Sequence, residues 1–172
     1  MKCGSVGEEL LELLHCGEKW GRVATMQRPV LVGEYDFTLD AKNRIAVPAR
    51  LRAAFAEGIY VAKERERCLG GYGPEEFRAR LAEEASATAG GSVSRRDAKR
   101  FTASSAVHQQ ELDRQGRMTV PARLLEYAGI EREVTIIGAQ DHIEIWDRVA
   151  WAEYLAQLEE EADATADEHA TS

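Results

Sequence analysis

Leu39-Asp40-Ala41-Lys42-Asn43-Arg44-Ile45-Ala46-Val47-Pro48-Ala49-Arg50-Leu51 returns later in the chain as Leu112-Asp113-Arg114-Gln115-Gly116-Arg117-Met118-Thr119-Val120-Pro121-Ala122-Arg123-Leu124. The displacement is 73 residues throughout, without a gap. Leu, Asp, Arg, Val, Pro, Ala, Arg and Leu recur in place, far beyond chance for so short a stretch. A segment found twice in a chain of this size means two copies of one supersecondary unit, and so a pseudo-symmetric pair of sites.

Each copy reads as turn, strand, then helix. Asp40–Asn43 and Asp113–Gly116 carry turn chemistry, and Asn43 and Gly116 are the residue types that tolerate positive φ. Ile45–Val47 and Met118–Val120 are short β runs stopped by Pro48 and Pro121. Proline lacks the N–H that a strand needs but suits the first position of a helix. Leu51, Ala54 and Phe55 then share one helical face, as do Leu124, Leu125 and Ala128, with Gly58 and Gly129 where helix ends are expected. Downstream the displacement lengthens by one residue. Tyr60–Ala62 answers Val134–Ile136, Leu69–Tyr72 answers Ile143–Trp146, and Phe77 answers Trp151. Neither half is long enough to bury much core alone, so the expectation is one β-rich domain made of two interleaved repeats.

The chain has 172 residues, 44% hydrophobic and 30% charged, within the range of one globular domain. No apolar run approaches the roughly 20 residues that span a bilayer. Leu10–Leu14 is interrupted by Glu12 and follows Glu8 and Glu9, unlike a signal peptide, so the expected compartment is the cytoplasm. Cys3, Cys16 and Cys68, with His15, His108 and His142, show no metal-like spacing, and no metal or other cofactor is expected.

The net charge of −8 argues at first against nucleic acid. Its distribution argues otherwise. Residues 153–172 hold seven acidic side chains and no Lys or Arg, so the remainder is nearly neutral. Within it, residues 38–52 set Lys42, Arg44, Arg50 and Arg52 against Asp40 alone. Local field, not total charge, decides what a surface attracts.

Residues 1–32 match nothing in the repeat and are read as a leader, either a short amphipathic helix around Leu10–Leu14 or an unstructured arm. Between the copies, residues 80–105 form a linker and a helix. Ala82–Ser92 is rich in Ala, Gly, Ser and Glu, and Ser94-Arg95-Arg96-Asp97 resembles a capping box opening the helix. Arg95, Arg96, Lys99 and Arg100 on it are read as a solvated face. Trp151, Leu155 and Leu158, after Asp147 as N-cap, predict a final amphipathic helix over 151–161. Residues 162–172, made of Ala, Asp, Thr, Glu, His and Ser, cannot bury a core and are expected to be a disordered acidic tail.

A duplicated aspartate invites comparison with a proton-sharing catalytic dyad. Against it, Lys42 and Arg44 follow Asp40 closely, and Arg114 and Arg117 follow Asp113. Neighbouring cations depress a carboxyl pKa, the reverse of what a shared proton requires. Phosphate-cradling glycine loops and nucleophile elbows are absent as well, so the chain does not read as an enzyme and no small-molecule substrate is expected. Asp40 and Asp113 are instead turn-stabilising residues, with Asn43 and Gly116. The long cations on and after the loops suit a DNA groove, where arginine forks onto guanine or phosphate oxygens.

Gly33-Glu34-Tyr35, Leu39-Asp40-x-Lys42-x-Arg44 and Val47-Pro48-Ala49-Arg50 resemble the opening of the MraZ family of bacterial transcriptional regulators. Leu112-Asp113-x-x-Gly116-Arg117, Val120-Pro121, Tyr127-Ala128-Gly129, Val134 and Ile143–Trp146 resemble its second repeat. The resemblance covers about residues 33–155. It implies an α+β, β-rich fold with two SpoVT-AbrB-type repeats, at 33–79 and 106–150, forming a pseudo-two-fold swapped-hairpin barrel with short flanking helices. It further implies a homo-oligomeric ring, nucleoid-associated, that binds direct repeats in the promoter of the division and cell-wall gene cluster as a repressor. The DNA contacts it implies come from the loops, here Lys42, Arg44, Arg114 and Arg117, and the expected interface adds Arg50 and Arg123. Two departures stand out. Asn43 replaces the glycine usual in the first loop, and Gln115 stands where the first copy has Lys42. The competing class is a ring-forming scaffold without specific DNA binding.

Overall fold

The computed structural model describes residues 29–87, 95–109 and 111–170. The Leu10–Leu14 stretch, read as either a short helix or part of an unstructured leader, lies outside the described residues, as do Cys3, Cys16, His15, the Ser94 cap and the centre of the linker. In chain order the elements are β1 (Leu31–Thr38), β2 (Arg44–Ala46), a 3-10 turn (Arg52–Phe55), β3 (Ile59–Lys63), β4 (Leu69–Tyr72) and helix α1 (Pro74–Ala87). Then come α2 (Arg95–Ser105), β5 (Val107–Gln109), β6 (Arg117–Thr119), α3 (Ala122–Ala128), β7 (Glu133–Gln140), β8 (Ile143–Asp147) and α4 (Arg148–Ala170). The fold is mixed α+β, with every strand pair antiparallel.

The sheet order β1-β7-β8-β4-β3-β5 is a palindrome of the two repeats. β1 of the first repeat pairs along its whole length with β7 of the second, while β5 of the second pairs with β3 of the first. The halves are interleaved, as expected from their size. The remaining strands, β2 and β6, form a separate ribbon, and its central pair is Ile45 with Met118. These two are repeat equivalents, so a pseudo-two-fold axis passes between them. Gly70 and Glu144, equivalent in the downstream register, also pair directly, and the same axis runs through both places.

The barrel expected from the resemblance is not closed by strand pairing. β1 and β5 remain the two edges of the sheet, because β2 and β6 pair with each other. The ribbon is nevertheless part of the core. Ile45, Val47, Met118 and Val120 belong to one buried cluster with Leu31, Phe55, Ile59, Leu124, Ile136, Ile143 and Ile145. Each such side chain contributes about 1.5–3 kcal/mol on burial, and neither repeat could gather this set alone.

Three local features differ from the sequence reading or sharpen it. The helix expected after Pro48 is a 3-10 turn, closed by bonds from Leu51 N to Pro48 O and from Ala54 N to Leu51 O. Its equivalent α3 is a true α-helix, ended by Gly129 at φ 66. The two differ at Arg52, which folds its Nε back to the Val47 carbonyl at 2.8 Å where the second copy has the apolar Leu125. Asp147 caps α4 by accepting from the backbone N–H groups of Val149 and Ala150. That helix runs on to Ala170, past the end expected at 161, so the segment expected to be a disordered tail is helical through Ala170. Lack of apolar residues forbids a core but not a helix, and this stretch is rich in alanine, the strongest helix former.

The swapped strand has a testable weak point. A Cβ at Gly138 would lie 2.5 Å from Val32 N and 2.6 Å from the Leu31 carbonyl carbon, both backbone atoms of β1. Backbone cannot rotate away as a side chain can. Gly138→Val is expected to cost about 3 kcal/mol in urea unfolding. Hydrogen exchange will show the loss of protection concentrated in Leu31–Thr38.

Candidate nucleic-acid interface

The two repeated loops precede the ribbon strands and fold in the same way. In the first, Asp40 Oδ1 accepts from the backbone N–H of Lys42 at 2.8 Å and of Arg44 at 3.0 Å. In the second, Asp113 Oδ1 accepts from Gln115 at 2.9 Å and Arg117 at 2.9 Å. A short carboxylate can satisfy two turn donors in this way, which is why aspartate stands there in both copies. Asn43 has φ 56 and Gly116 has φ 74, so the chain reverses through the left-handed region at equivalent positions. The loops also lock each other, since Val47 N donates to Gly116 O and Val120 N donates to Asn43 O, both at 2.9 Å.

The second carboxylate oxygens hold the arginines. Arg44 donates from Nε to Asp40 Oδ2 at 2.7 Å and Arg117 to Asp113 Oδ2 at 2.8 Å. Each guanidinium then reaches across the axis: Arg117 Nη1 lies 3.4 Å from Asp40, and Arg44 Nη1 lies 3.9 Å from Asp113. Asp40, Arg44, Asp113 and Arg117 thus form one four-membered network between the repeats. Their side chains are 24–32% exposed, so the pairs are only partly screened by water.

The network sets the acid behaviour of the loops. The hydrogen bond from Arg44, opposed by partial desolvation and aided by the backbone donors, holds the Asp40 carboxyl down at about 2. The bond from Arg117 depresses Asp113 in the same direction. An aspartate titrating near 3.9 when unfolded and lower when folded contributes stability that is complete above about pH 4. That contribution is lost as pH falls through the folded value. We expect the Asp40 carboxyl carbon to titrate by NMR with a midpoint near 2 in the native protein, and Arg44→Gln to move that midpoint up toward about 4.

Of the cations singled out in the sequence, Arg44 and Arg117 therefore have their guanidinium groups engaged within the protein. Lys42 and Arg114 lie on the loops themselves, exposed, with no side-chain hydrogen bond or ion pair among the described residues. Arg50 and Arg123 stand outside the network, each just past the proline that ends its ribbon strand. Both are exposed, and Arg123 donates to Ser104 O at 3.4 Å. Arg52 belongs to this region although the repeat did not point to it. Its guanidinium lies so close over Gly116 that any Cβ there would collide with it. The alignment of the copies hides it, because its equivalent is Leu125. The position of Arg52 within the basic stretch 38–52 was the available signal.

Among the described residues, no cluster of His, Cys, Asp and Glu is placed to hold a metal ion, and no helix is long and apolar enough to cross a membrane. Cys68 is buried, and burial first, then nearby carboxylates, pushes its thiol well above the ordinary range, so it is unreactive at neutral pH.

Comparison with known proteins matches the chain to the family described as "MraZ protein, putative antitoxin-like", twice, over residues 30–98 and 104–172. A protein of Kocuria rhizophila named Transcriptional regulator MraZ is 40% identical over 139 residues, covering 81% of this chain and 96% of its own. Proteins of the same name from Salinispora tropica and Bifidobacterium longum are 39% and 37% identical. They cover 77% and 81% of this chain, and each alignment covers 92% of the relative. The two family matches fall on the two repeats whose loops meet at the pseudo-two-fold axis, and the chain belongs to the MraZ family.

Proposed function

We propose that this chain is a sequence-specific, double-stranded-DNA-binding transcriptional regulator and not an enzyme. Its target is a set of direct repeats in the promoter of the division and cell-wall gene cluster, which it represses as a homo-oligomeric ring in the cytoplasm, at the nucleoid. One observation carries the reading. Two equivalent loop scaffolds, locked to each other by the Asp40–Arg44–Asp113–Arg117 network, carry the exposed cations Lys42 and Arg114. A ribbon with its loops is of a size that enters the major groove. In this reading Lys42, Arg50, Arg114 and Arg123 contact DNA, while Arg44 and Arg117 hold the loops and offer their remaining N–H groups to it. Asp40, Asn43, Asp113 and Gly116 keep the turns. The ribbon packed over the sheet through Ile45, Val47, Met118 and Val120 serves as the swapped-hairpin barrel, closed by side chains instead of strand pairing. A ring would set several such loop pairs beside successive repeats and gain affinity by multivalency.

The test is binding to the DNA upstream of the protein's own gene across a salt series, wild type against Lys42→Ala/Arg114→Ala. Removing one phosphate-binding cation flattens the dependence of log K on log salt by about one unit, so the double variant is expected to show a slope shallower by about two. An unchanged slope, or wild-type binding that is insensitive to salt and promoter, would favour the scaffold reading instead.

A further inference from the structure

Of the helices described, α2 alone carries a positive balance. Arg95, Arg96, Lys99 and Arg100 stand on it against Asp97, whereas α1 and α4 are acidic and α3 is neutral. The helix rests on α1 and β3. Arg96 and Arg100, one turn apart, are exposed. Arg100 also pairs with Asp97 at 3.3 Å, but both side chains are more than half exposed, and a pair so open to water exchanges easily for another anion.

This strip starts where the first loop ends. Val120 N donates to Asn43 O at 2.9 Å, which sets the entry to α3 beside that loop. Arg123, at the start of α3, donates to the Ser104 carbonyl in the last turn of α2 at 3.4 Å. Arg100 lies one turn before Ser104, and Arg96 one turn before Arg100. Lys42, Arg123, Arg100 and Arg96 are all exposed, and they follow one another along these contacts from the loop outward. A helix rises about 6 Å in four residues, and each DNA strand offers a phosphate about every 3.4 Å of its axis. Cations one turn apart therefore reach separate phosphates of one strand.

Across the pseudo-two-fold axis the strip has no counterpart among the described residues. Shifted back by the displacement of 73, α2 falls on residues 22–32. The described part of that stretch is the lead into β1 and its first two residues, not helix. The asymmetry bears on how a site is read. A two-fold reader matches a site that looks alike from both ends, whereas a direct repeat has a direction.

We propose that α2 holds the phosphate backbone beside the site that the loops read, through Arg96 and Arg100 and on one side of the axis only. This one-sided grip fixes the direction in which the chain lies on DNA. It rests on the DNA-binding reading above and adds a second contact to it. Phosphate contacts set position and orientation but carry no base preference, so discrimination stays with the loops.

Wild type, Arg96→Ala/Arg100→Ala and Arg96→Lys/Arg100→Lys are compared as full chains across a salt series. One duplex comes from upstream of the protein's own gene and the other is unrelated, and hydroxyl-radical footprints are taken on the first. Both positions are exposed, and circular dichroism and light scattering check fold and mass. The alanine pair is expected to flatten the dependence of log K on log salt by about two on both duplexes. It should leave the preference for the promoter unchanged and remove protection from one flank of each site. The lysine pair keeps the charges and should keep the wild-type slope. An unchanged slope in the alanine pair, protection lost equally from both flanks, or a loss confined to the promoter duplex each overturns the proposal. So does a lysine pair as weak as the alanine pair, or an altered mass, which would make α2 a subunit contact. In all these cases wild-type binding leaves the DNA-binding reading standing. A wild type that binds neither duplex in a salt-dependent way overturns both.

Discussion

Ile45→Ala is expected to lower the unfolding free energy by about 2–5 kcal/mol and to weaken DNA binding at temperatures where the protein is still folded. Ile45 and Met118 are both fully buried, and they face each other at the centre of the β2–β6 ribbon. The loops begin immediately before these strands, so the pair is the floor on which both stand. Truncation to alanine leaves a cavity that the ribbon cannot collapse to fill, because Val47 and Val120 beside it are also buried. In urea the midpoint should fall with an unchanged slope. Ile45→Val should cost only about 0.5–1.5 kcal/mol. Met118→Ala combined with Ile45→Ala should depart from additivity by roughly 0.5–3 kcal/mol, because the two side chains share one cavity. A loss below about 1 kcal/mol for Ile45→Ala would mean that the ribbon is not held by the core at all.

Much of this arrangement was legible in the chain because it is written twice. The repeated thirteen residues located both loops, and Asn43 and Gly116 stood out as the residues that accept a positive φ. Pro48 and Pro121 marked where the ribbon strands stop. The pairing of β1 with β7 was not legible, since a strand's partner is set by long-range register and not by its own pattern. The division of labour among the cations was equally hidden. Lys42 and Arg44 look alike in sequence, yet one is exposed and the other is tied to two aspartates. Composition also misled at the end of the chain, where the apolar content that decides burial says little about whether a helix forms. The axis is itself imperfect, for Gly70 faces Glu144 across it. The space a glycine leaves there admits Glu64 and Tyr72, which hydrogen-bond to each other at 2.8 Å in the first half only.

Asp40→Ala will separate what the loop does by shape from what it does by charge. The substitution removes a negative charge beside Lys42 and leaves Arg44 only its longer contact to Asp113, at 3.9 Å, so long-range attraction to DNA rises and the salt dependence steepens, by up to about 0.9 in slope if that guanidinium takes up a phosphate. It also removes the acceptor of two backbone N–H groups and the anchor of two arginines, because Arg117 reaches Asp40 as well. A loop without that scaffold no longer presents its cations at fixed positions, and base discrimination depends on fixed positions. The expected result is affinity for unrelated DNA that is unchanged or higher, with a preference for the protein's own promoter reduced about tenfold or more. Asp40→Asn keeps an oxygen for the backbone donors but loses the ion pairs, and should fall between the two. Because the network spans the axis, Asp113→Ala added to Asp40→Ala should cost less than it does alone. Promoter preference that survives Asp40→Ala intact while affinity rises would show that the aspartate only moderates the field, and that the reading surface lies outside the loops.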